Sequence, residues 1–307
     1  MSTATEPNAP AATSTRAKAD ARKLKAHKAG HKPGNSRGGT IAVGLGAWII
    51  GLVFVVPILW MLLTSLHNPP DAQTYPPKWT ASLTFSNYSS LFDESNSIRP
   101  ALINSLTASI ISTALVLLLA IPAAYALSIK PVRKWSDTMF FFLSTKMLPP
   151  VAGILPIYLF TTKVIDLPDN VWILIILYTS MNLPIAVWMM RSFLIEVPPA
   201  IIEAAAIDGA GTLRIMRTIV APIAMPGIAA TSLICFIFSW NEQLFAKVLT
   251  SVNAQTVPVF VSTLIQTEHS YLAQLSAGAV AISLPVLIAG FAAQDKLVQG
   301  LSLGAVK

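Results

Sequence analysis

Cysteine is almost missing: Cys235 stands alone among 307 residues, so no disulfide framework is possible. No histidine adjoins it in sequence to make a thiol nucleophile. Charge is scarce as well, at 11% of residues against roughly 25% in soluble domains. With 54% hydrophobic residues and a mean hydropathy of +0.63, that deficit argues against a soluble fold. The chain has no Walker-type phosphate loop, so ATP hydrolysis is not expected of it. No Gly-x-Ser-x-Gly elbow occurs, and His27, His31, His67 and His269 are not spaced as a metal site. Gly44, Gly46 and Gly51 follow no strand and make no dinucleotide fingerprint; they suit close helix packing. No catalytic residue and no bound metal or cofactor is therefore expected.

What the chain does have is apolar runs longer than the ~20 residues that cross a bilayer. They predict an all-α polytopic membrane protein with six transmembrane helices. The spans are expected at about 40–66, 101–129 (kinkable at Pro122), 137–162, 170–191, 225–249 and 273–293. The membrane domain thus covers 40–294, with a short tail at 295–307. Residues 1–39, rich in Ala, Ser, Thr, Pro and basic side chains, read as a disordered tail able to lie on anionic lipid or to act as a topogenic signal. The basic region is too long for a cleavable signal peptide. The net charge of +7 reflects topology rather than nucleic-acid binding. Sixteen lysines and arginines fall in the tails and the 130–136 and 191–224 loops, against Lys78, Arg99, Lys163 and Lys247 on the other side. The positive-inside rule then places both termini in the cytoplasm.

Between the fourth and fifth spans lies a loop, 196–224, that the bilayer core would not accept. Pro198 and Pro199 can open a helix, where an N–H is dispensable. Ala204, Ala205 and Ala206 extend it with little bulk, so a partner surface could approach closely. Gly209 suits the left-handed residue that ends it. Thr212 is expected to cap a second short helix, Leu213–Ala221, interrupted by Pro222. Asp208 sits at the negative end of the first helix and needs a compensating donor. For Ala-rich helices alone, the usual reading is an ordinary amphipathic connector with a helix-turn-helix.

Ionisable residues at membrane depth mark either a pathway or a buried pair. Lys146 precedes Pro149 and Pro150, where a broken helix would free carbonyls. Glu242 lies in Trp240-Asn241-Glu242-Gln243, which joins hydrogen-bonding groups to an aromatic face as sugars and polyols require. Asn241 and Glu242 are the main path candidates, followed by Lys146, Asn104 and Asn182. The bland reading is that Lys146 snorkels or pairs with Glu242, and that the two asparagines bond helix to helix.

The stretch Glu203-Ala204-Ala205, three residues, Gly209, nine residues, Ile219-Val220-Ala221-Pro222 resembles the signature loop of ABC importer membrane subunits, with Ala221 in place of the usual leucine. Most of 41–307 resembles the MalG-like carbohydrate branch, notably Trp240-Asn241-Glu242 and the ending Gly300–Lys307. Leu143–Pro150 and Tyr178–Met189 look closest to mannitol and sorbitol permeases. The resemblance implies an ABC type I importer permease fold in a prokaryotic cytoplasmic membrane. It implies partners: a second homologous permease, two ATPase subunits holding ATP and magnesium, and an extracytoplasmic solute-binding protein. Glu203, Ala204, Ala205, Asp208 and Gly209 would then form the ATPase-coupling helix, with Gly300, Gly304 and Lys307 as a second docking element. The binding protein would meet the 67–100 and 250–272 loops. The alternative is an ion-coupled secondary transporter acting without an ATPase.

Overall fold

The computed structural model describes residues 37–93, 97–129, 132–265 and 272–305. Most of the expected basic tail, Lys130 and Lys307 lie outside them, and of Gly300 and Gly304 only the helical backbone is described. The chain divides into two compact units, one ending at Ile58 and the other beginning at Leu59. Helix α1, Arg37–Leu66, begins in the first, where Val43, Trp48 and Phe54 present an exposed apolar surface suited to lipid.

In the second unit, short helices α2 (Pro69–Ala72) and α3 (Ser86–Ser90) follow α1. Asn87 closes this segment by donating from Nδ2 to the carbonyls of Ser65 (2.9 Å) and His67 (2.7 Å). The long helices α4 (Arg99–Ser128) and α7 (Val171–Leu194) then pack along one another. Between them come α5 (Trp135–Lys146) and α6 (Pro150–Leu159), which continues into a π-turn at Phe160–Val164. After α7 come α8 (Pro199–Ile207), α9 (Thr212–Ile215), a π-turn at Met216–Val220 and α10 (Ala221–Ile223). Helices α11 (Met225–Trp240), α12 (Leu244–Leu249), α13 (Val257–Thr263) and α14 (Leu272–Ala305) complete the chain.

Among the described residues, four helices are long and apolar enough to cross a membrane, and the number reaches six when each of two bent pairs is one span. The first pair, 135–145 with 150–164, bends by 81°. Pro149 is extended there and Pro150 opens α6, so the helix cannot continue through them. The second pair, 212–223 with 225–240, bends by 82°. This corrects the expected cap and break. Gly211, not Thr212, is the residue before α9, and no side chain caps it. Pro222 does not stop the chain either: the helix passes it and breaks at Ala224, before Pro226 in the first turn of α11. The π-turn immediately upstream widens the backbone and accommodates the Pro222 ring. Helix α11 has 16 residues, or about 24 Å at 1.5 Å per residue, short of the hydrocarbon thickness on its own.

Small residues bring the helices together. Ala108, Ala120 and Ala124 of α4 and Ala186 of α7 are fully buried. Gly227 of α11 is equally constrained, since a Cβ there would clash with the Cβ, Cγ and Cδ2 atoms of Phe193 on α7. Serines and one amide bond the helices at depth: Asn182 Nδ2 donates to Ser239 Oγ at 3.0 Å, and Ser239 Oγ meets Ser112 Oγ at 3.1 Å.

Candidate functional site

The first helix of the 196–224 loop has the ends its sequence suggests. Pro198 is extended and Pro199 takes the first position of α8, where no N–H is needed. At the other end Gly209 has φ +78°, a conformation costly for any residue with a Cβ. The N–H of Gly209 donates to Ala206 O (3.1 Å) and that of Ala210 to Ala205 O (3.0 Å). These paired reverse bonds form a Schellman end that satisfies the last carbonyls.

Helix α8 has two unlike faces. Ile202 and Ala205 are buried in a core cluster with Ala124 of α4, Leu194 of α7 and Ile215 of α9. Glu203, Ala204, Ala206 and Asp208 face outward, flanked by Ile207 (86% exposed) and Leu213 (78%). So Ala205, expected to meet a partner with its neighbours, instead fixes the helix to the body. Among the described residues, neither Glu203 nor Asp208 makes a side-chain hydrogen bond or an ion pair within the chain. A cleft of about 300 Å³ opens beside Glu203, between Ser128, Ile195 and Ile202. Arg191 ties this end together: its guanidinium lies 4.0 Å from the Trp135 ring of α5, and Nε donates to Leu127 O of α4 at 3.1 Å.

The path candidates separate into two groups. Glu242 caps α12, accepting from Phe245 N at Oε1 (2.8 Å) and from Ala246 N at Oε2 (3.1 Å). Asn104 donates to the carbonyls of Asn253 (2.8 Å) and Gln255 (3.1 Å), and Asn182 is the interhelical donor to Ser239. These three spend their polar groups on scaffolding. Asn241 and Lys146 are exposed, Asn241 donating only to Ile237 O of its own helix (2.8 Å). Lys146 forms no ion pair with Glu242. Trp240 does not offer the expected aromatic face: it is 1% exposed, stacked on Phe236 and donating from Nε1 to Ile282 O at 3.1 Å.

Sequence reasoning missed Asp169 altogether. It lies in the turn before α7, about 36 Å of helix away from the α8 end at 1.5 Å per residue. Its carboxylate accepts from the backbone N–H groups of Ser251 (2.8 Å), Val252 (3.1 Å), Asn253 (2.8 Å) and Ala254 (3.0 Å). Ser251 Oγ (2.9 Å) and Asn253 Nδ2 (3.1 Å) add two more donors. Burial works to raise this carboxyl's pKa, but the Ser251, Asn253 and Ala254 donors outweigh it and hold the group well below the usual carboxylate range. It has a φ of +53°, as Asp166 in the same turn has one of +55°, and an Asp-Asn turn gives no sequence signal for a partner 82 residues away.

Residues 116–303 match the family model described as "Binding-protein-dependent transport system inner membrane component". The chain is 34% identical over 262 residues to the probable ABC transporter permease protein y4oR of Sinorhizobium fredii, covering 84% of this chain and 92% of that one. It is 29% identical to the trehalose transport system permease protein SugB of Mycobacterium tuberculosis, over 82% and 92% of the two chains. In structure it is similar to a chain of a bacterial ABC transporter involved in the import of the acidic polysaccharide alginate, with a TM-score of 0.68, 23% identity and coverage of 87% and 100%. An apolar multi-helix body agrees with these matches: the chain belongs to the binding-protein-dependent transport system inner membrane components, the permease subunits of ABC transporters.

Proposed function

We propose that this permease carries a sugar or sugar alcohol inward, forming the translocation path with a second homologous permease. Two ATPase subunits, binding ATP and magnesium, dock on α8 from the cytoplasm, where both termini lie. A solute-binding protein delivers the ligand on the opposite side. The observation that carries this reading is the two-faced α8: its exposed acids and apolar Ile207 await a partner, while Ile202 and Ala205 root it in the core with α4 and α7. A push on such a helix passes to the membrane helices as a rigid displacement rather than a local deformation. Glu203 and Asp208, without partners among the described residues, are available to the cationic side chains of the ATPase. Arg191 links the same movement to α4 and α5.

Asn241 and Lys146, the exposed candidates, line the path in this reading, while Glu242, Asn104 and Asn182 shape it. Polyols are our preferred substrates, on the Leu143–Pro150 and Tyr178–Met189 likeness. Gly300, Gly304 and Lys307 supply a second contact with the ATPases.

The test is uptake into vesicles bearing the assembled transporter. Glu203→Lys and Gly209→Asp should both insert normally yet lose ATP-dependent uptake. ATP-driven uptake at the wild-type rate in both variants would refute the coupling role, and uptake by this chain alone on an ion gradient would favour a secondary transporter.

A further inference from the structure

The segment between α11 and α13 is held at three points. Glu242 caps α12 at its start, and Asn104 takes the Asn253 and Gln255 carbonyls near its end. Ser105 Oγ accepts from Val257 N at 2.8 Å just beyond. Between these anchors, the turn 251–254 wraps around the Asp169 carboxylate, which receives four consecutive backbone N–H groups. Four successive N–H groups converging on one point are a nest, a shape an anion stabilises and that loses its reason to persist without one. Here the anion is built in.

The shape so fixed serves no visible purpose inside the chain. Thr250, Ala254 and Thr256 are buried; Ser251 and Asn253 are exposed but turn their side chains to Asp169, and Val252 is 81% exposed at the apex. An exposed apolar side chain on a turn with this many restraints is a preformed contact. The turn stands at the end of α7 remote from the coupling helix, and the family is defined by dependence on a binding protein.

We propose that Asp169 is a positioning residue that holds the 251–254 turn in one outward shape, with Val252 at its tip, for docking of the extracytoplasmic solute-binding protein. This rests on the importer reading above. Asparagine at 169 keeps one acceptor but sets an amide NH2 against backbone donors, so the turn samples other shapes. If the competent fraction falls to about a tenth, the apparent dissociation constant rises about tenfold, while the docked complex is unchanged.

The assay is uptake by the complete transporter in proteoliposomes, titrated with its purified solute-binding protein. Asp169→Asn should raise the half-saturating concentration about tenfold and leave the rate at saturation near wild type. Val252→Ser, a surface change that does not endanger folding, should raise it several-fold. An unchanged half-saturation in Val252→Ser, or in a well-assembled Asp169→Asn, overturns the proposal. So does a fall in the saturated rate alone, which would make Asp169 an ordinary structural residue. Should the wild-type transporter show no dependence on binding protein, the importer reading fails and the proposal with it.

Discussion

Replacing Gly227 with alanine puts a methyl group where the ring of Phe193 already lies. The obstruction is a side chain at the end of α7, immediately before the loop that carries α8, so relief requires α7 and α11 to separate or Phe193 to leave its rotamer. Overpacking of this kind costs about 1–3 kcal/mol. For a chain of this size each kcal/mol lowers the melting temperature by about 2–4 °C, so a fall of several degrees is expected. Cys235 makes the assay simple: it is the chain's only cysteine and is fully buried, so a thiol-reactive fluorophore reports its exposure on heating in detergent. Phe193→Ala alone should also destabilise, by opening a cavity. In the double variant the two losses should not add, because each change accommodates the other, and a coupling energy of about 0.5–3 kcal/mol is expected between touching residues. Additive losses, or a Gly227→Ala variant melting with wild type, would refute the close approach of α7 and α11.

The other predictions follow the polar groups. Glu242→Ala should cost about 1–3 kcal/mol in the same melt by uncapping α12, with substrate affinity changed far less than stability. Asn182→Ala should cost about 1 kcal/mol by removing the Ser239 bond, and should be nearly neutral once Ser239 is also alanine. Asp169 sets a pH dependence. Its folded pKa is depressed, so its stabilisation is fully present above the unfolded value of about 3.9 and is lost as pH falls below it toward the folded value. Protease sensitivity of the 250–256 loop should therefore be flat from pH 8 to 5 and rise only in stronger acid, whereas in Asp169→Asn it should be high throughout.

The helical membrane class and four of the spans were legible because a long apolar run has few alternatives. Helix α8 was legible to within a residue, since proline at its start and glycine at its end are favoured by backbone geometry, and Gly209 does adopt the positive φ. The broken spans were only half visible. Pro149-Pro150 announced one break, but the other fell at Ala224 because a π-turn let the chain pass Pro222, and π-turns have no composition of their own. Polar side chains at depth were found by the sequence but not their partners. Trp240 and Glu242 look alike as candidates for a sugar site, yet one is sealed against α14 and the other is a cap. Asp169 was missed because its six hydrogen bonds are all long-range.

The central claim is that α8 is the place where an ATPase grips this chain, and Ile207, at 86% exposure, is its most accessible apolar residue. The direct measurement replaces Cys235 by serine, places a single cysteine at 207, and applies a short bifunctional cross-linker to membranes carrying the assembled transporter. The expected result is a covalent adduct with the ATPase subunit, with a yield that changes when ATP is added, and a thiol that impermeant reagents reach only from the cytoplasm. Labelling from the outside, or a cysteine that no soluble reagent reaches and that yields no adduct with the ATPase, would contradict it.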